Sequence, residues 1–275
     1  MTQIVAETAV LWAPERAVKV GGHSTMVRGV QQPAVVAHRG ASTDRPEHTI
    51  GAYELALKEG ADGLECDIRL SKDGTIVCVH DRTLSRTSNG RGTVSALTLE
   101  ELQRHDYGSW HRYGQPAELL LLDQLLELVK GTNVTLFVET KHPVRYRNEV
   151  ERKLVEALKR HDLAAQIVMM SFSPTAVQAF RAQAPDIRTV LLLDRLGRYK
   201  SGALPAFADY TGPGVHLLRN DPGYVDRARR AGHETYVWTV DSAEDVALCR
   251  DLGVRYLATN APANTRRLLT ANLAT

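Results

Sequence analysis

From about Ala34 onward, short runs of β-branched and aliphatic residues alternate with longer stretches in which apolar positions recur every three or four residues. The first run, AVVAHRG, predicts a strand over Ala34 to Gly40 that glycine ends. In PEHTIGAYELALKEGA, Ile50, Tyr53, Leu55, Ala56 and Leu57 form a helical stripe that stops before Gly60. GLECDIRLSKDGTIVCVHD, Gly63 to Asp81, is two apolar runs around Asp73-Gly74, the signature of a hairpin. Further strands are expected at Thr135 to Thr140, Gln166 to Phe172, Arg188 to Leu193, Gly214 to Leu218, Glu234 to Val240 and Arg255 to Thr259. Helices are expected over Leu119 to Lys130, Asn148 to His161, Ser173 to Gln183, Gly223 to Ala231, Ser242 to Leu252 and Ala263 to Thr270.

With the return strand of the hairpin, Thr75 to His80, set aside as antiparallel, eight strands remain, separated by helices. That is the pattern of an α/β protein of the (β/α)8 TIM-barrel type, with an active site at the C-terminal ends of its strands. An open doubly wound sheet is the alternative, but no G-x-G-x-x-G follows the first strand. Residues 34–275 then form the barrel domain, residues 1–33 an N-terminal extension, with a short strand or helix near Val5 to Trp12, and residues 75–118 a hairpin and loop insertion after strand 2. A polar excursion of that length in a compact αβ pattern usually covers a site. It holds one short helix that opens with a capping box, Thr98 to Glu101.

The 275 residues, 43% of them apolar, suffice for one such domain. With 34 basic and 32 acidic residues the formal charge is only +2, so no large field recruits nucleic acid or a membrane surface. The N-terminus lacks a basic region and a long apolar run, and no stretch of about 18 apolar residues occurs, so the expected location is cytoplasmic, without stable membrane insertion. Cys66, Cys78 and Cys249 are odd in number and lack metal-ligand spacing. If Glu65 and His80 share a face, strand parity puts Cys66 and Cys78 on opposite faces, which predicts buried free thiols.

Strand alternation gives Glu65, Asp67 and Arg69 one face, and the hairpin brings His80 back toward the acids. The ends of the other strands add His38 and Arg39, Glu139 and Lys141, Ser171 and Phe172, Asp194, Trp238 and Asp241, and Asn260. An apolar barrel does not tolerate Glu65, Asp67 and Glu139 unpaired. Salt bridges to Arg39 and Lys141 are one remedy, and a shared hard cation, Mg²⁺ or Ca²⁺, is the other. Zinc fits less well, because no His pair stands at ligand spacing.

The motifs AHRGAS (37–42), PEHT (46–49), ADGLECDIRLSKDGTIVCVHD (61–81), LSRTSNGRG (84–92), VETK (138–141) and VWTVD (237–241) together resemble the glycerophosphodiester phosphodiesterases, from about Val35 to the end of the chain. The resemblance implies a barrel that hydrolyses glycerophosphodiesters to glycerol 3-phosphate and an alcohol with a divalent cation. It matches Glu65, Asp67 and Glu139 to metal ligands, His38 and His80 to the general acid and base, and Arg39 and Lys141 to stabilisers of phosphate charge. Glu47 matches an acid beside the metal, either a ligand or a partner of Arg39. The chain departs from the usual pattern at His48 and Asp241, where Asn is common, at Asn260, where Asp is common, and at Leu121-Leu122-Asp123, which replaces Pro-Thr-Leu.

The chemistry also follows from the residues. Attack on a phosphodiester builds negative charge on its phosphoryl oxygens, which a cation, Arg39 and Lys141 would stabilise. One imidazole deprotonates the nucleophile and the other protonates the leaving alkoxide, with His38 taken first as base and His80 as acid. The nucleophile is water, or the neighbouring glycerol hydroxyl by way of a cyclic phosphate. Trp238 is a candidate substrate-binding ring or a core residue. Arg86 and Asn89 read as turn residues. Three alternatives remain: a phospholipase D-type or lysophospholipid phosphodiesterase, a metal-independent phospholipase C, which the three acids oppose, and a catalytically inactive binding module.

Overall fold

The computed structural model describes residues 18–20, 23–25 and 32–271. The chain divides into two units, residues 1–31 and residues 32–275. In the first, β1 (Val18–Val20) pairs antiparallel with β2 (His23–Thr25). The element expected near Val5 to Trp12 lies outside the described residues.

The second unit is a closed barrel of eight parallel strands: β3 (Ala34–His38), β4 (Gly63–Leu70), β6 (Thr135–Thr140), β7 (Ile167–Ser171), β8 (Arg188–Leu193), β9 (Tyr210–Pro213), β10 (Glu234–Val237) and β11 (Tyr256–Thr259). Pairing of β11 with β3 and of β3 with β4 closes the ring. The short β5 (Ile76–Cys78) returns antiparallel along β4, as the Asp73-Gly74 turn requires. No described helix is long and apolar enough to cross a membrane.

Local signals set the helix starts. Thr49 caps α1 (Ile50–Lys58), Thr98 and Glu101 form the expected capping box of α2 (Leu99–Gln103), and Ser173 with Pro174 opens α5 (Pro174–Gln183). The remaining helices are α3 (Leu122–Val129), α4 (Glu149–His161), α6 (Val215–Asn220), α7 (Tyr224–Arg230), α8 (Ala243–Asp251) and α9 (Pro262–Ala271).

Two expectations are corrected. The strand expected over Gly214 to Leu218 lies earlier, at β9, and Val215 to Asn220 is helical. Pro213 and Gly214 end the strand, and Val215 and Leu218 are buried three residues apart, a helical spacing that a short aliphatic run also satisfies. The parity argument for the thiols also fails. Cys78 pairs with Ile68 and so shares the face of Cys66, with which it is in side-chain contact. All three thiols are nevertheless free and buried. His80 lies beyond the end of β5, where alternation no longer governs the side chain.

The inward strand positions are layered. Val36, Phe137, Met170, Val190, Tyr236 and Ala258 belong to the cluster that fills the barrel. Phe137 meets Tyr236 at 4.9 Å and Tyr256 at 5.0 Å between ring centroids. A Cβ on Gly63 would sit 3.2 Å from the Phe137 ring, so glycine makes room for this plug. Two residues further along the same strands the inward positions become His38, Glu65 and Glu139. Phe137→Ala is expected to destabilise the fold by about 3–5 kcal/mol, read as a lower denaturant midpoint with unchanged slope.

β5 and the excursion after it share a small core of Val77, Val79, Leu84, Val94, Leu102, Tyr107 and Leu119. That packing holds Asp81 and Arg86 over the strand ends.

Candidate active site

His38 ends β3, and the next two residues turn sharply. Arg39 and Gly40 both have left-handed backbones, at φ 60 and 84. A Cβ at Gly40 would lie 2.7 Å from the Ala52 backbone of α1, so only glycine lets the loop seat there. The turn aims the Arg39 N–H at Glu65 Oε2, 3.0 Å away. Its guanidinium reaches Asp67 Oδ2 through Nε and Glu47 Oε1 through Nη1, each at 3.0 Å. A non-glycine residue held in this region stores strain, as is common where a side chain must be aimed.

Glu65, Asp67 and Glu139 each direct one oxygen into a cluster whose atoms lie within 4.8 Å of one another. All three are buried. Lys141 Nζ bridges Glu139 Oε1 at 2.7 Å and Asp67 Oδ1 at 3.2 Å. Burial, reinforced by the charge of Asp67, pushes Glu139 up to about 8 and Glu65 well above the usual carboxylate range. At Asp67 burial acts in the same upward sense, but Lys141 and Arg39 outweigh it and hold the group ionised.

The site suits a hard cation. Three oxygens spaced this closely can all lie at about 2.1–2.5 Å from one ion. Asp67 Oδ1 is buried without a hydrogen bond, since Lys141 approaches it off hydrogen-bonding geometry. The ion-pair network holds Glu47, Glu65, Asp67, Asp81 and Glu139 against Arg39, Arg86 and Lys141. With all five carboxylates ionised, as ligation would require, and the histidines uncharged, it lacks two positive charges, which one divalent ion would supply.

The two expected histidines are held differently. The Asp241 carboxylate only accepts, and it takes the backbone N–H of Asn260 at 2.8 Å and the amide Nδ2–H at 2.6 Å. This turns Asn260 Oδ1 toward His38 Nδ1, 2.8 Å away, so Nδ1 carries the proton. The lone pair of Nε2 then faces the site, 4.0 Å from Glu65. Burial and the neighbouring Arg39 charge push His38 down to about 3, keeping it neutral. His80 Nδ1 instead faces a carboxylate, Asp81 Oδ1, at 2.6 Å. Burial lowers His80 as well, against the charge of Asp67 and the hydrogen bond of Asp81, and among the described residues no side-chain carboxylate hydrogen-bonds His38.

Glu47 stands outside the carboxylate cluster. Both its oxygens face guanidinium groups, Oε1 that of Arg39 and both those of Arg86 at 2.7 Å. Arg86 also bonds Asp81 through Nε at 2.6 Å. The reading of Arg86 as a turn residue is therefore corrected: it ties the excursion to the site. Spacing alone hides this, because Glu47 is 39 residues away in the chain. Asn89 does shape the loop, accepting the Asp106 N–H at 3.0 Å. Trp238 is half-buried, donates Nε1–H to the Gly212 carbonyl at 2.8 Å, and meets Phe172 edge-on at 5.2 Å. Lys141 Nζ lies 5.9 Å from the Phe172 ring, so the two aromatics wall the lysine side of the site. Two further contributors sit in the helical stripe and the PEHT motif, with contacts that spacing does not reveal. Tyr53 donates to the Glu65 carbonyl at 3.0 Å and lies 2.8 Å from His48 Nδ1, while His48 Nε2 reaches Asp67 at 3.0 Å.

Residues 38–264 match the model of the glycerophosphoryl diester phosphodiesterase family. The chain belongs to that family. Over 254 residues it is 48% identical to "Probable glycerophosphodiester phosphodiesterase 1" of Mycobacterium tuberculosis, covering 86% of this chain and 92% of that protein. It is 30% identical to a glycerophosphodiester phosphodiesterase of Caldanaerobacter subterraneus over 83% of this chain and 94% of the relative. Among solved structures, an Oleispira antarctica phosphodiesterase in complex with the product sn-glycerol-3-phosphate superposes with TM-score 0.77 at 25% identity, covering 87% of this chain and 97% of the other. At His38 the charge of Asp241 stands behind Asn260, and a neutral amide meets the ring. His48 likewise gives its two nitrogens to Tyr53 and Asp67.

Proposed function

We propose that the protein hydrolyses glycerophosphodiesters to sn-glycerol 3-phosphate and an alcohol, with His38 as general base and His80 as general acid. The observation that carries this reading is the contrast between the histidines: a neutral amide on His38 and a carboxylate on His80. The first arrangement leaves an unprotonated Nε2 facing the acids. The second gives His80 a carboxylate partner for the imidazolium that releases its proton. Glu65, Asp67 and Glu139 would hold a divalent cation, Mg²⁺ or Ca²⁺. When bound, it would supply Lewis-acid charge at the phosphoryl oxygens.

His38 Nε2 takes a proton from the nucleophile, either water or the adjacent glycerol hydroxyl. Arg39 and Lys141 then meet the charge that grows on phosphorus oxygens, in a buried setting where it is worth more than in water. His80 gives its proton to the departing alkoxide. Glu47 acts as a clamp between Arg39 and Arg86 rather than as a ligand, and the Trp238 and Phe172 rings flank the carbon skeleton of the substrate. Buried free thiols agree with a reducing, cytoplasmic setting.

The test is release of glycerol 3-phosphate from glycerophosphocholine before and after treatment with EDTA. Activity should fall by about 100-fold or more and return with Mg²⁺ or Ca²⁺. Full activity in EDTA would refute the metal assignment, and no turnover with metal present would refute the hydrolase.

A further inference from the structure

On the His80 side of the site the chain forms a cavity of about 230 Å³, lined by Arg69, Arg82, Arg145, Tyr146, Val94 and Ser95, with Pro143 and Val144. Three chain segments that carry site residues run directly into its wall. Arg69 follows Asp67 by two positions on β4, Arg82 follows His80 by two, and Pro143 follows Lys141 by two. The cavity is therefore adjacent to the reaction, on the side of the proposed acid.

Its charge is one-sided. No carboxylate lines it. Arg69 spends its Nε and Nη2 on the backbone carbonyl of His80, at 3.0 and 2.7 Å. Arg145 bonds the backbone carbonyl of Ser95. Arg82 makes no side-chain hydrogen bond or ion pair among the described residues. Some arginines elsewhere are matched with acids, as Arg86, Arg152, Arg219 and Arg227 are, and others, such as Arg188 and Arg267, are held by neutral oxygens. Tyr146 adds a hydroxyl that accepts the Leu70 N–H at 3.1 Å and keeps its own proton to donate. Three guanidinium groups and a phenol around a cavity lined by no carboxylate are a receptor for an anion with several acceptor oxygens.

We infer that this cavity is a leaving-group subsite that takes a second anionic group, phosphate or carboxylate, carried by the alcohol of the diester. The inference rests on the hydrolase reading above. The preferred substrates are glycerophosphodiesters whose departing alcohol carries an anionic group, rather than choline or ethanolamine esters. Arg69 would couple the two sites, because the group that meets the anion also holds the backbone of the acid, His80.

The experiment compares kcat/KM, in the metal-loaded enzyme, for matched pairs of diesters. Glycerophosphoinositol 4-phosphate against glycerophosphoinositol tests a phosphate, and glycerophosphoserine against glycerophosphoethanolamine tests a carboxylate. The selectivity ratio within each pair is the readout, so losses of folded or metal-loaded protein cancel. In the wild type at least one ratio should exceed about tenfold, and which pair shows it identifies the anion. Arg82→Gln and Arg145→Gln should each reduce that ratio by about tenfold, with Arg82→Lys retaining part of it. Ratios near one in the wild type, or ratios that these variants leave unchanged, overturn the subsite while leaving the hydrolase intact. Absence of turnover on all four diesters overturns the hydrolase reading and the subsite with it.

Discussion

His80→Ala is expected to slow hydrolysis of glycerophosphocholine by about 100-fold or more, and that of a glycerophospho-p-nitrophenyl ester far less. The argument is one of leaving-group basicity. Choline leaves as an alkoxide that must be protonated as the bond breaks, whereas p-nitrophenolate is stable enough to depart alone. A residue whose deletion matters only for the basic leaving group is the acid. His38→Ala should instead slow both esters alike, because deprotonation of the nucleophile precedes either departure. The structural ground is the difference between the Asp81 carboxylate on His80 and the Asn260 amide on His38, each aimed by a fixed partner. An equal loss on both esters for His80→Ala, with the leaving-group contrast appearing at His38→Ala, would exchange the two roles.

Asp67→Asn should lower kcat/KM by about 1,000-fold and weaken Mg²⁺ or Ca²⁺ binding, measured by calorimetry, to a similar degree. Asp67 is the hub of the site: 1% exposed, it lies within about 3 Å of Arg39, His48 and Lys141. Asparagine keeps the volume and removes the charge on which the other groups converge. Stability should change less than activity. Arg39 and Lys141 lose a counter-charge, which destabilises, but Glu65 and Glu139 lose the like charge that helps raise them, which stabilises. Thermal unfolding of the apo variant separates the two effects. Retention of more than a tenth of the activity would remove Asp67 from the metal assignment.

Strand periodicity, the Asp73-Gly74 turn and the glycine-terminated first strand determined the barrel and the three acids at its mouth, because these signals act within a few residues and alternation aims the side chains. Gly63 and Phe137, like Glu65 and Glu139, are placed by that alternation alone. The sequence left open what depends on pairing register or on contacts across long stretches of chain. Register put Cys66 and Cys78 on one face, and a Pro-Gly step turned an aliphatic run into helix α6. Only the folded chain joined Arg86 to Glu47, set His48 and Tyr53 behind Asp67, and gathered Arg69, Arg82 and Arg145 around one cavity. Residue spacing encodes direction within an element, whereas the partner of a long side chain is decided by which elements the barrel brings side by side.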